Sequence, residues 1–396
     1  MDDLRCIPTK PGIGKLSARA AIAPFRAMEV MREAGRRQAA GERLIRFDVG
    51  QPHLGAPEKA IAAAERALRE DKLGYTDALG SNALREAIAA FYARRYGVTV
   101  DPRRVAITTG ASGAFLLAFL ALFDTGDRIA LAAPSYPPYR HILTSLGMAP
   151  VNLPARAEDK FQLTPALIEA ERDLAGVLIA NPANPTGAML SGAELAALAQ
   201  TAIERGLPLI SDEIYHGLTF AAPAETMLAA DPDAIVINSF SKYWAMTGWR
   251  VGWLIAPDYL MAPLERLAQN LAICPPAPAQ AAALAALDAL DECEARRLLY
   301  ARNREILLEA LPAIGLPPAT PPDGAFYMML DVSRFGESAS FCTRAMNEAG
   351  VCLTAGHDFD ETRGALWARL AYPITEAETR EGVERLTRFT RTLAPR

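Results

Sequence analysis

The sequence predicts an α/β protein: a large central, mainly parallel β-sheet with helices on both faces, plus a smaller α+β domain. Two observations carry this prediction. Short apolar runs at 105–108, 128–132, 176–180, 207–211 and 234–238 lack polar alternation, and helical stretches separate them. Strands buried on both faces read in this way, and alternation with helices builds a parallel sheet. The chain is also 396 residues long, more than one hydrophobic core ordinarily serves. We therefore expect a large domain at 49–290 and a discontinuous smaller domain at 1–48 and 291–396.

Taken in order, residues 18–34 carry helical spacing with Pro24 near the start, and 41–50 read as turn, strand (44–49), turn. Residues 57–70 predict a helix with Pro57 in its first turn, where the missing N–H costs nothing. Residues 81–96 predict another, with Ser81 as its N-cap. Strand 105–108 leads through G-A-S-G into a helix from Ala111, and a glycine turn at a helix N-terminus forms a nest of the size of a phosphate. The apolar run 111–123 ends at Asp124 and is too short to span a bilayer, so it reads as a buried helix. Residues 279–290 and 294–311 predict long helices leading away from the sheet. After the proline-rich loop 316–324, shorter strands and helices continue to the end.

Composition excludes several classes. Hydrophobic content of 51% and charged content of 22% are ordinary for a globular protein. A net charge of −5 argues against nucleic acid as a partner, which normally leaves a basic patch or stripe. Five cysteines without C-x-x-C pairing argue against a disulfide framework and for a reducing cytoplasm. The first ten residues hold no apolar signal-peptide core, and no membrane segment is expected. The four histidines show no ligand spacing, so no metal is assigned.

The chemistry gathers where five predicted strands end, the edge at which open α/β sheets bind ligands. Lys242 is the only lysine after Lys160, and it lies in S-F-S-K-Y-W-A-M-T-G-W-R-V-G, flanked by Ser239 and Ser241 with Arg250 eight residues on. A lysine amine can capture a carbonyl, and here groups suited to a phosphate surround it. N-P-A-N-P-T-G (181–187) offers the amide of Asn184, D-E-I-Y (212–215) a carboxylate able to pair with a protonated ring nitrogen, and P-S-Y-P-P-Y (134–139) the ring of Tyr136 for stacking. His216 reads either as a site residue or as a packed histidine. Trp244 and Trp249 read as structural.

These strings, together with F-D-V-G-Q-P, K-L-G-Y-T-D-A-L-G, L-R-E-A-I-A, T-T-G-A-S-G-A, P-D-G-A-F-Y and A-R-L-A-Y in this order, resemble the class I/II aminotransferases of the fold-type-I pyridoxal-phosphate enzymes over nearly the whole chain. The resemblance implies Lys242 as the cofactor-bearing lysine and base, and Asp212 as the partner of the pyridine nitrogen. It implies Tyr215 and Asn184 as partners of the ring hydroxyl and Tyr136 as the stacking ring. Ser239, Ser241, Arg250, Ala111 and Ser112 would bind the phosphate. Tyr75 would reach the phosphate of a second subunit, which implies a homodimer; it also reads as an exposed helix-end tyrosine. Arg369 would clamp the substrate α-carboxylate through its bidentate fork, with Gly50 approaching through its backbone. The segment T-A-G-H-D-F (354–359) departs from the Pro-Gly turn of many relatives, so the wall of the pocket is not implied. The activity expected is ping-pong transfer of an amino group from an aspartate, aromatic or neutral α-amino acid to a 2-oxo acid. A β-eliminating C–S lyase on the same fold is the alternative. A pyridoxal-sensing regulator would need a DNA-binding domain before Gly50, for which no room is expected.

Overall fold

The computed structural model describes residues 17–393; the reading of the first ten residues and Cys6 lie outside them. Along the chain, α1 (Arg26–Ala39) and β1 (Ile45–Arg46) precede α2 (Glu58–Glu70) and α3 (Asn82–Tyr96). There follow β2 (Val105–Thr108), α4 (Gly110–Leu122), β3 (Arg128–Ala133), α5 (Pro137–Ser145), β4 (Ala149–Pro154), α6 (Pro165–Ala170), β5 (Gly176–Ala180), α7 (Gly192–Glu204), β6 (Leu209–Asp212), β7 (Ile235–Ser239) and β8 (Gly252–Ile255). Helices α8 (Asp258–Leu271), α9 (Ala277–Ala286) and α10 (Leu290–Ala313) lead to β9 (Tyr327–Asp331), α11 (Ser338–Arg344), β10 (Val351–Cys352), β11 (Thr354–Ala355), β12 (Trp367–Ala371) and α12 (Glu376–Thr392).

Seven strands form one sheet in the order β2-β8-β7-β6-β5-β3-β4. All pairings are parallel except those of β8, which runs antiparallel to both neighbours. The absence of polar alternation now has its cause. Ala106, Ile129, Leu131, Leu178, Ile210, Ile237 and Leu254 pack into one core, while Ile107, Ala130, Val177, Ile179, Leu209, Val236 and Trp253 pack into another. Alternate residues thus face opposite, equally apolar layers. The later strands build two small sheets: β10 pairs parallel with β1, and β12 lies antiparallel between β11 and β9.

Several boundaries differ from the sequence reading. The first helix is Arg26–Ala39, not 18–34: the ring of Pro24 blocks the helix before it, and Phe25 becomes the N-cap. Of the strand expected at 44–49, two residues pair. Pro57 is the N-cap of α2, one position before its first turn. Ser81 occupies the N-cap of α3, but its side chain does not cap; its backbone N–H donates to Gln280 Oε1 at 2.8 Å. The strand expected at 207–211 is Leu209–Asp212, and the long helices expected at 279–290 and 294–311 are α9 and α10. Strand β8 is an addition to the sequence reading, in which R-V-G only closes the string around Lys242. Its first residue must be glycine, since a Cβ there would lie 2.8 Å from the Asn238 carbonyl and 3.0 Å from the Ala111 amide.

Candidate active site

The C-terminal ends of β2, β3, β5, β6 and β7 open into one cavity of about 460 Å³. Of the residues singled out in the sequence, Gly50, Ala111, Ser112, Tyr136, Asn184, Asp212, Tyr215, Ser241, Lys242, Arg250 and Arg369 all line it. Segments separated by more than 300 positions in the chain therefore share one pocket, as the strand-end argument requires.

Lys242 donates from Nζ to the Gly50 carbonyl at 2.7 Å. Burial strips hydration from its ammonium, and Arg369 and Arg250 repel it, so its pKa falls from 10.5 to about 8 despite the opposing pull of Asp212. Asp212, the last residue of β6, is buried, and burial pushes its carboxyl up to about 6. The hydroxyl of Tyr139 donates to its Oδ2, and the Ile214 amide donates to Oδ1 at 3.1 Å. These bonds favour the ionised form against the larger effect of desolvation. A proton-accepting amine and a carboxylate suited to a buried cation thus share one wall.

Arg369 is held rigidly. It donates to Asn184 Oδ1 at 3.0 Å and to the Asp48 carbonyl at 2.8 Å. Its guanidinium lies 4.6 Å from the ring centroid of Tyr327 and 4.8 Å from that of Phe359. Its Nε is buried without a partner. Tyr327 also meets Tyr215, hydroxyl to hydroxyl, at 2.8 Å. Gly50 has no alternative here, because a Cβ would fall 2.0 Å from the Tyr327 hydroxyl.

A second cluster sits at the N-terminus of α4, where free backbone amides favour an anion. Gly110 adopts φ +72°, and a Cβ there would lie 2.4 Å from the Arg250 guanidinium. Arg250 itself adopts φ +53° and donates to the Thr247 carbonyl at 2.9 Å. Ala111, Ser112, Ser241 and Thr247 complete this part of the lining. Ser239 does not line the cavity. Its hydroxyl is fully buried behind the wall, 2.9 Å from both Ser241 Oγ and the Val251 carbonyl. Tyr75 is also absent from the lining and is 83% exposed. His216 proves to be a packed histidine, buried against the Tyr96 hydroxyl at 2.8 Å and outside the cavity, with its pKa lowered to about 3 by burial. Trp244 is buried in the core.

The sequence reading missed the roles of Tyr139 and Tyr327, although both end motifs it quoted, P-S-Y-P-P-Y and P-D-G-A-F-Y. It also missed the wall contributed by α1: Phe25, Ala27, Met28 and Met31 line the same cavity. Phe25 meets Tyr136 edge-on at 5.8 Å, and Tyr136 meets Tyr139 at 5.3 Å. The segment 354–359 stands behind this wall rather than in the lining, with Phe359 packed on Arg369. No helix of the described residues is long and apolar enough to cross a membrane.

Comparison with known proteins identifies the family. The family described as aminotransferase class I and II matches residues 42–386. A valine–pyruvate aminotransferase of Mycobacterium tuberculosis is 44% identical over 378 residues, 94% of this chain and 97% of that one. A crystal structure of an aminotransferase from Mycobacterium tuberculosis superposes with a TM-score of 0.93 at 43% identity, covering 96% of this chain and all of that one. Aspartate aminotransferase from Thermus thermophilus with maleate gives 0.88 at 30% identity, over 95% of this chain and all of that one. With a lysine, an aspartate and an arginine brought to one strand-end pocket, and with this likeness along the chain, the protein belongs to the class I and II aminotransferases, a family that works with pyridoxal phosphate.

Proposed function

We propose that this aminotransferase takes the amino group of a neutral, apolar α-amino acid and passes it to a 2-oxo acid, pyruvate foremost. The observation that carries the proposal is the lining. Phe25, Met28, Met31, Phe115 and Ile142 give it apolar walls, and among the described residues the basic ones that line it are Lys242, Arg250 and Arg369. Those three are engaged by the roles below, so among the described residues no guanidinium in the lining remains for a side-chain carboxylate. The name of the valine–pyruvate relative supports the same class of donor. The relatives are aminotransferases, which favours transamination over the C–S lyase alternative.

The residues present fit the cofactor. Lys242 offers an amine partly neutral near pH 8, Asp212 a buried carboxylate for the ring nitrogen, and Tyr136 a face for stacking. With Asn184 Oδ1 engaged by Arg369, the amide nitrogen of Asn184 and the Tyr215 hydroxyl serve the ring hydroxyl. Arg250, Ser112, Ser241 and the amides around Ala111 serve the phosphate, and Ser239 steadies Ser241. Bound there, pyridoxal phosphate supplies a carbonyl that captures the amino group and a ring that draws electron density from the substrate's α-carbon.

The chain's own residues then divide the labour. Arg369, whose guanidinium is held in place by Asn184 and the Asp48 carbonyl, grips the α-carboxylate. Lys242 Nζ removes the Cα proton of the donor and, in the second half-reaction, delivers one to the Cα of the acceptor. Asp212 keeps its charge beside the ring nitrogen. Exposed Tyr75 serves the phosphate site of a second copy in a homodimer. The test is a spectrum of the purified protein with pyridoxal phosphate, followed by a panel of amino acids and assay of the 2-oxo acids formed. Valine, alanine or leucine should change the visible band and yield their 2-oxo acids. Aspartate turning over ahead of them would overturn the donor class.

A further inference from the structure

We propose that Asp358 is a positioning residue that sets the length of apolar side chain the enzyme accepts; the proposal rests on the apolar-donor reading above. Helix α1 has Phe25 at its N-cap, with extended backbone and a side chain that cannot accept a hydrogen bond. Its first amides would be orphans. They are satisfied from the far end of the chain. Asp358, itself buried, accepts from the Arg26 amide at 3.2 Å through Oδ1 and from the Ala27 amide at 2.9 Å through Oδ2. The helix thereby gives up a cap of its own and gains an aromatic wall residue, since Phe25 lines the cavity edge-on to Tyr136. Met28 and Met31 follow on the same wall.

The turn that carries Asp358 is fixed from its other side. Arg140 donates to the Asp358 carbonyl at 2.7 Å, and the Ser135 amide donates to the Phe359 carbonyl at 3.0 Å. The ring of Phe359 lies against the guanidinium of Arg369. Two adjacent residues therefore join the helix wall to the arginine that grips the α-carboxylate. The span between wall and clamp is a ruler for the substrate. A donor as short as alanine engages only the clamp; longer apolar side chains reach the wall.

The test uses the enzyme loaded with pyridoxal phosphate and measures kcat and KM for alanine, 2-aminobutyrate, valine, leucine and methionine. Asp358→Ala should raise KM for leucine and methionine about fivefold to tenfold, the size expected from a lost helix cap, and leave alanine within about twofold. Asp358→Asn, which keeps one acceptor oxygen, should fall between. Met28→Ala should weaken leucine in the parent enzyme and add little in the Asp358→Ala background, because both act through one wall. Equal losses for alanine and leucine, or fully additive losses in the double variant, would overturn the role of Asp358. Should Asp358→Ala fail to fold, the Asn variant combined with Met28→Ala decides in the same way. A parent enzyme that shows no preference for apolar donors refutes the donor reading instead. A parent with that preference and a variant that keeps the same ranking refutes Asp358 alone.

Discussion

The strand-end wall of the pocket and the wall made by α1, which the turn carrying Asp358 holds from behind, are built by different means. At the strand ends, neighbouring parallel strands deliver Asp212, Lys242 and Asn184 to one edge, and each position follows from the sheet register. On the other wall, a helix without a cap of its own is held by a carboxylate more than 300 residues away. The difference teaches where rigidity and choice reside. The sheet fixes the groups to which we assign the chemistry common to all donors, while a few side-chain bonds fix the groups that we propose discriminate between them.

Lys242→Ala tests the first wall at its strongest point. Turnover should fall at least about 10⁴-fold with added pyridoxal phosphate, and activity near that of the parent would refute the lysine's role. Asp212→Asn should follow, with kcat lowered about 10²- to 10³-fold while the cofactor's phosphate still binds, as read by equilibrium dialysis. Full activity there would leave the ring-nitrogen role without support. Arg369→Lys sharpens the contrast with Asp358, because the α-carboxylate is common to all donors. KM should rise about tenfold to a hundredfold for alanine and leucine alike, and a loss confined to long side chains would merge the two walls into one. The smallest effect is on stability. The unfolded chain keeps a proton on Lys242 up to its ordinary pKa of 10.5, whereas the folded chain releases it at about 8. Between those values the unfolded state binds more protons, so the stability of cofactor-free protein should rise with pH across that window. Lys242→Met should remove the rise in urea-unfolding midpoints, and parallel curves for the two proteins would show that the ammonium is not desolvated.

Much of the first wall was legible in the sequence for the reason that makes it rigid. Apolar strands end in polar motifs, so G-A-S-G, P-S-Y-P-P-Y, N-P-A-N-P-T-G, D-E-I-Y and S-F-S-K each announce a ligand edge. Tyr139 was within one of these motifs but could not be paired with Asp212, since nothing in the spacing says that the two strands' ends meet there. Ser239 was legible as a serine near the lysine, not as one turned behind Ser241. The second wall was opaque. With the helix expected over 18–34, Phe25 falls inside it rather than at its start, and Asp358 lies in the segment from which no pocket wall is implied. Only the fold reveals that each answers the other.

The pairing of β1 with β10, together with the bond from Asp358 to α1, has a consequence for biosynthesis. The large sheet has all seven strands once Ile255 has been made, well before Val351 or Asp358 leaves the ribosome. Until then the N-terminal segment has no partner for β1 and no acceptor for its first helical amides. Contacts of such sequence separation form late, after the local ones. A nascent chain can therefore assemble the lysine and aspartate edge while its N-terminal segment is still waiting, and both Asp358 and Arg369 join that edge only when the last forty residues are made.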